Sequence, residues 1–381
     1  MRSIPFLIRS LRSHPLEYAL VLSVALTTTN CGSSSTTTTT PPPTPPNLVF
    51  TANRDSQNVS VFTADQSGAL TAVAGSPFGA GPGLSAIAVN PSGTLVCVTG
   101  YDTTGAGAVY GFAIAPGTGI LSSAGSIGVG TEPLGLVFNP TGTFLFVANY
   151  ASSNITVFSI GASGTLAEIT NSPFAAGGKP RTLAMHPSGK FLYAGDDASG
   201  NILLYGIDSS TGSLTSATTF PDANLPVSIA IAPSGNFAYA ADAIGTSTIS
   251  GYAIDANGNL TPLANSPFAS AAPAISITLD PSGKYVYAAD FNDNNVAGLT
   301  IDSMGALTQM TPSPFLTGSG TTSPSSVAVN STSQFAYVAN FGTSNLAAFS
   351  IDTSGNLQAL VDSPVGAGMG PVAVATAVGK P

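Results

Sequence analysis

From Asn47 onward the chain is a succession of short apolar runs, each closed by turn-forming residues. Between Pro133 and Lys179, Leu134–Phe138 reads as a first strand, ended by the turn Asn139-Pro-Thr-Gly142. Phe144–Ala148 reads as a second strand, Asn149 to Asn154 as a loop, and Ile155–Ile160 alternates as a third. Ala162-Ser-Gly164 turns into a fourth short strand, Leu166–Ile169, and Asn171-Ser-Pro-Phe174 leads onward. No segment shows a 3.6-residue apolar period, which excludes helical solenoids.

The second strand recurs seven times, as Phe50-Thr-Ala-Asn53, Cys97-Val-Thr-Gly100, Phe146-Val-Ala-Asn149, Tyr193-Ala-Gly-Asp196, Tyr239-Ala-Ala-Asp242, Tyr287-Ala-Ala-Asp290 and Tyr337-Val-Ala-Asn340. The spacing is roughly 45 to 50 residues, and four strands per unit of that length make a propeller blade. The first copy lacks its opening strand and starts at Leu48-Val-Phe50, while Pro371–Thr376 is an orphan opening strand at the far end. Joining them completes a seventh blade from both termini and leaves the ring without an unpaired edge. The expectation is therefore an all-β, seven-bladed β-propeller with four antiparallel strands per blade. Without a single Trp, the chain departs from WD-type repeats and from propellers docked by tryptophans.

Composition adds three constraints. Only 7% of the 381 residues are charged, so the surface must be built from Ser, Thr, Asn and Gly. The formal charge is −9, and beyond Arg2, Arg9 and Arg12 the basic residues are Arg54, Lys179, Arg181, Lys190, Lys284 and Lys380, with no run among them. That excludes a phosphate-backbone footprint, and no nucleic-acid partner is expected. The N-terminus reads as an export signal over residues 1–30, with a basic start and an apolar stretch, Tyr18–Leu26, too short to span a bilayer. Cys31, followed by Gly-Ser-Ser-Ser, resembles the lipidated cysteine of bacterial lipoproteins, although Asn30 replaces the usual small residue and Glu17 borders the apolar stretch. Lipidation, simple secretion and a retained anchor all fit, and each places the protein in the cell envelope or outside the cell. Residues 31–46, Ser, Thr and Pro throughout after Cys31-Gly32, read as a tether. Residues 47–381 form the folded part, expected as a monomer that meets a membrane only through its N-terminus. Cys97, inside a strand, reads as a core residue.

The strand copies and their Pro-Ser-Gly turns (Pro187-Ser-Gly189, Pro233-Ser-Gly235, Pro281-Ser-Gly283) resemble the repeats of the lactonase family of seven-bladed propellers, which includes 6-phosphogluconolactonase. The resemblance spans Asn47 to Thr376. It implies a site in the region Lys179-Pro-Arg181, Met185-His-Pro-Ser-Gly189 and Tyr193-Ala-Gly-Asp-Asp197, where active relatives carry His-Pro-Arg and a strand ending in Asn-Glu. Arg181 matches the Arg, Lys179 stands for the His and Asp197 for the Glu. Half of the implied site is kept.

Blade topology puts Arg54, Glu132, Tyr150, Lys179, Arg181, Asp196 and Asp197 on one face and His186, with Lys190 and Lys284, on the other. No nucleophilic triad can be assembled. Lactone hydrolysis would need Asp197 or Glu132 as general base and Arg181 as oxyanion stabiliser, with Arg54, Lys179, Asp196 and Tyr150 holding substrate. Arg54 and Arg181 either fork around a carboxylate or phosphate or pair locally with Asp55 and Asp197. The strand-ending Asn and Asp residues read as turn caps, with Ca²⁺ held by acidic oxygens at the channel mouth as the alternative; Asp290-Phe-Asn-Asp293-Asn is locally acidic but lacks the Gly and terminal Glu of a calcium loop, so no metal and no cofactor is expected. The leading expectation is an exported surface binding module, with a degenerate lactonase site, for a glycan, small lactone or surface protein. Its alternative is a sugar-lactone hydrolase.

Overall fold

The structure, a computed structural model, describes residues 46–221, 225–242, 247–270 and 273–379. The export signal, Cys31 and nearly all of the tether lie outside the described residues. Strands are the only regular elements among the described residues, and they form seven separate antiparallel sheets. We number the blades in chain order. Blade 2 runs Pro133–Phe138, Phe144–Asn149, Asn154–Ile160 and Leu166–Glu168, within a residue or two of the sequence expectation. Blade 7 closes the ring: Asn47–Asn53 pairs antiparallel with Pro371–Val378, with Phe50 opposite Ala375.

One expectation needs correction. The Ser-Pro-Phe segment is not a simple exit from the blade, because Phe174–Ala175 returns to pair with the third strand beyond Leu166–Glu168. The fourth strand is thus split, and at the break Ser172 Oγ accepts the Val157 N–H at 3.0 Å. The same serine substitutes for a ladder carbonyl at Ser76, Ser266, Ser313 and Ser363. That is why Ser-Pro recurs: the serine meets a buried donor that the proline-kinked strand cannot reach.

The repeated tyrosine of the second strand joins blades. Tyr193, Tyr239 and Tyr287 are buried and donate to the carbonyls of Gly258, Gly305 and Gly355 in the next blade, at 2.8, 2.8 and 2.7 Å. Tyr337 reaches Gly68 across the ring closure at 3.4 Å. These glycines must be glycines. Gly305 has φ +83°, and a Cβ there would come within 2.5 Å of the Phe237 ring of the preceding blade.

Candidate functional site

The first strand of every blade faces the axis, and at one end these strands enclose a cavity of about 550 Å³. One residue from each blade forms its upper ring: Ser85, Leu134, Arg181, Val227, Ile275, Ser325 and Val372. Below them lie Ala86, Gly135, Thr182, Ser228, Ser276 and Ser326. Six of the seven ring positions are apolar or serine, and Arg181 is the single charge among them. The residue that follows the strand-ending Asn or Asp also leans over the axis, which adds Arg54, Phe291 and Phe341. No Asp or Glu lines the cavity.

Neither arginine pairs as the local alternative required: among the described residues, no carboxylate lies within salt-bridge distance of Arg54 or Arg181. Arg54 Nε donates to the Leu84 carbonyl at 3.1 Å, which orients the side chain and leaves its terminal nitrogens free of protein partners. On blades 5 and 6, the two that precede the blade of Arg54, Phe291 and Phe341 stand with ring centroids 6.0 Å apart and planes tilted by 44°. With the partly exposed Ile275 they make an apolar wall.

The remaining candidates gather beside Arg181 rather than inside the cavity. Tyr150 Oη donates to Asp197 Oδ2 at 2.8 Å, and Lys179 Nζ sits 5.1 Å from the Tyr150 ring centroid. The Asp197 bond raises the Tyr150 phenol above its usual range, and Arg181 opposes that shift. The backbone sets this cluster: Asp197 N–H donates to Lys179 O at 3.0 Å, and Tyr150 N–H to Glu132 O at 3.0 Å. Glu132, with φ +51°, packs its side chain against Gly105. The cluster is therefore an acid held by a phenol and a lysine stacked on that phenol.

Asp196 is otherwise engaged. It is buried, with Oδ1 accepting the N–H groups of Lys179 and Ala198 and Oδ2 accepting Ser199 Oγ. It caps its turn, as the strand-ending set was expected to do. The asparagines of that set behave differently. Asn53, Asn149 and Asn340 donate through Nδ2 to Asn58, Asn154 and Asn345 Oδ1 at 2.8, 2.7 and 2.8 Å, a side-chain clasp across the hairpin mouth. His186 is tied down on the other face, with Nδ1 against Ser188 Oγ at 2.7 Å and Nε2 against Gly235 O at 3.0 Å. It occupies the turn position that Asn90, Asn139 and Asn330 fill elsewhere, where the side chain accepts two backbone N–H groups.

Sequence reasoning missed Phe291, Phe341 and the serine-rich ring. The signal was available: the residue after the strand-ending Asx, or after Gly100 in blade 1, is Arg54, Tyr101, Tyr150, Asp197, Phe291 and Phe341 in six of the copies, a variable position beside a nearly constant one. Among the described residues, no group of three or more His, Cys, Asp or Glu side chains is gathered for a metal.

The sequence profile of the family described as "Lactonase, 7-bladed beta-propeller" matches residues 70–177, 140–231 and 198–322. No curated protein matches the sequence. Among solved structures, a 6-phosphogluconolactonase candidate from Bacteroides fragilis aligns with a TM-score of 0.75 at 22% identity, covering 87% of this chain and 98% of its own. A periplasmic gluconolactonase from Pseudomonas aeruginosa aligns with a TM-score of 0.72 at 20% identity, covering 87% and 99%. A 6-phosphogluconolactonase candidate from Bacteroides uniformis gives 0.75 at 19% identity, covering 87% and 99%. At these identities the likeness speaks for the fold.

Proposed function

The chain belongs to the lactonase family of seven-bladed β-propellers, and on that premise we propose that it is an exported binding module that holds a small cyclic anion in its axial cavity. The observation that carries this reading is the charge of the cavity wall. Two arginines without carboxylate partners line it, and no acidic side chain does, in a protein whose formal charge is −9. Guanidinium groups with free terminal nitrogens in a partly enclosed site suit carboxylate or phosphate. The Phe291–Phe341 wall suits the apolar face of a ring. A phosphorylated cyclic sugar, a phosphorylated sugar lactone or a uronic acid has both features. Export by the N-terminal signal, anchoring through Cys31 and reach through residues 31–46 would present this cavity at the cell envelope.

A second reading, lactone hydrolysis, is favoured by one observation. Asp197, one of the two candidate bases, is held by the Tyr150 phenol at 2.8 Å. A carboxylate so positioned could take a proton from water while Arg181 steadies the developing oxyanion. Against it, Asp197 does not line the cavity.

Calorimetric titration with glucose 6-phosphate and glucuronate tests the first reading. Each charge-assisted contact contributes about 1.5–3 kcal/mol, so Arg181→Ala should weaken binding by roughly 10- to 150-fold. Binding that is indifferent to both Arg181→Ala and Arg54→Ala would sink it. Turnover of δ-gluconolactone or its 6-phosphate above background, lost in Asp197→Asn, would establish the second reading instead.

A further inference from the structure

The seven hairpin mouths serve as internal controls for one another. In blades 2, 6 and 7 an Asn at the end of the second strand clasps the Asn five residues on, and in two of them it also donates to a hydroxyl, Ser60 or Thr156. Where an Asp replaces the first Asn, donors must be found for its carboxylate. Blade 3 supplies two N–H groups and the Ser199 hydroxyl to Asp196. Blade 4 supplies the hydroxyls of Thr248 and Ser250 to Asp242 Oδ2, at 3.1 and 2.9 Å.

Blade 5 differs in kind: each clasped blade leaves one buried amide oxygen without a partner, Asn53, Asn149 or Asn340 Oδ1, whereas blade 5 leaves a carboxylate oxygen and an amide oxygen together. Asp290, 1% exposed, receives the Asn292 and Asp293 N–H groups on Oδ1 at 3.1 and 3.3 Å, while its buried Oδ2 has no hydrogen-bond partner. The sequence explains why. The hydroxyl position of Ser60, Thr156 and Ser250 is Ala297 here, and the linker position of Lys179 is Pro273, which has no N–H to give. Asn295 stands opposite Asp290 in the strand register and is 6% exposed. Its Nδ2 is turned to the Asp293 carbonyl at 3.2 Å, and its Oδ1 is a second buried oxygen without a partner. In the clasped blades that Oδ1 meets an amide donor; here it faces a carboxylate. Asp293, three residues on in the same turn, adds a second carboxylate close enough to act on the first.

We propose that the mouth of the blade 5 hairpin is a cation site, in which Asp290 Oδ2 and Asn295 Oδ1 ligate a hard, oxygen-seeking divalent ion of the Ca²⁺ class and Asp293 supplies the second negative charge. Carboxylate and side-chain amide oxygens are the ligands such ions take, with water completing the shell. The ion removes both unpartnered acceptors at once and cancels the carboxylate repulsion. It also bears on the cavity, because Phe291 follows Asp290 in the same turn and lines the apolar wall. The site does not depend on the ligand proposed for that cavity.

The test is thermal unfolding of the full chain, stripped with EDTA and then titrated with CaCl₂, alongside calorimetry with Ca²⁺ alone. Wild type should bind one ion and unfold at a higher temperature as Ca²⁺ is added. Asp290→Asn restores the clasp seen in three other blades, so it should unfold above metal-free wild type and lose the Ca²⁺ response. Asp293→Asn should weaken Ca²⁺ binding with the fold intact, and Asp242→Asn, in a blade whose donors are present, should leave the response unchanged. A wild type insensitive to Ca²⁺, or a response retained in Asp290→Asn, overturns the proposal. So does stabilisation of metal-free wild type by acid with no effect of Ca²⁺, since a proton would then be the occupant.

Discussion

Replacing the inter-blade tyrosines with phenylalanine gives a graded test of how the ring is held. Tyr287→Phe deletes one hydroxyl whose bond to Gly355 O is 2.7 Å long and fully buried. The ring stays, so apolar burial is unchanged, and the loss is the hydrogen bond plus the stranded carbonyl, about 1–2 kcal/mol. Tyr193→Phe and Tyr239→Phe, with bonds of 2.8 Å, should cost the same. Tyr337→Phe should cost less than about 0.5 kcal/mol, because its 3.4 Å contact with Gly68 lies beyond the normal O–H···O range. For a domain of roughly 330 residues the unfolding entropy is about 0.7 kcal/mol/K, so 1.5 kcal/mol lowers Tm by about 2 °C. Urea unfolding followed by tyrosine fluorescence, with Tm as a check, resolves such differences. Equal losses at Tyr337 and Tyr287, or a neutral Tyr287→Phe, would refute the assignment of these phenols as latches. The fold already accepts Phe50 and Phe146 at the same strand position, so none of the variants should fail to fold.

Two further outcomes follow from burial. Burial raises the phenols of Tyr193, Tyr205, Tyr239, Tyr287 and Tyr337 above their ordinary range. The unfolded chain then releases protons near pH 10 that the native state retains, so stability is intact below about pH 10 and falls as pH rises above it, by up to about 1.4 kcal/mol per pH unit for each phenol. Tyr239→Phe should flatten the alkaline limb of a urea-midpoint profile by one such contribution, and an unchanged limb would contradict it. Burial also pushes the Cys97 thiol up to about 12. In a Cys31→Ser background at pH 8, Ellman's reagent should label no thiol until the chain is unfolded; prompt labelling of the native protein would show that the blade 1 core is open.

Much of the architecture was legible because its causes are local. A strand is announced by its apolar run, a turn by Asn-Pro-Thr-Gly, and a blade by the period. The split fourth strand was not legible, since Ser172 looks like a linker residue until the Val157 N–H it satisfies is located. The strand-ending residues were only half read. Asp196 caps a turn through its acceptors, whereas Asn149 clasps Asn154 through its donors, and the difference lies in which groups stand opposite. At the site, Arg181 and Arg54 were identifiable as departures from the repeat. Phe291 and Phe341 were not, because an aromatic residue after a strand reads as core until its position at the axis is known.

By itself, the sequence determined the number of blades, the strand order within each, the closure by both termini and the face on which the variable loops emerge. These depend on patterns within one repeat or on counting repeats. Only the tertiary structure decided that Arg54 and Arg181, three blades apart around the ring, open onto one cavity without acidic lining, that Tyr150 and not Arg181 holds Asp197, and that Asp290 Oδ2 and Asn295 Oδ1 are both left without a donor in one hairpin mouth. The reason is geometric. Circular closure brings residues distant in sequence to a common axis, and the partner of a polar group is set by the neighbouring blade or the opposite strand, which no single repeat encodes.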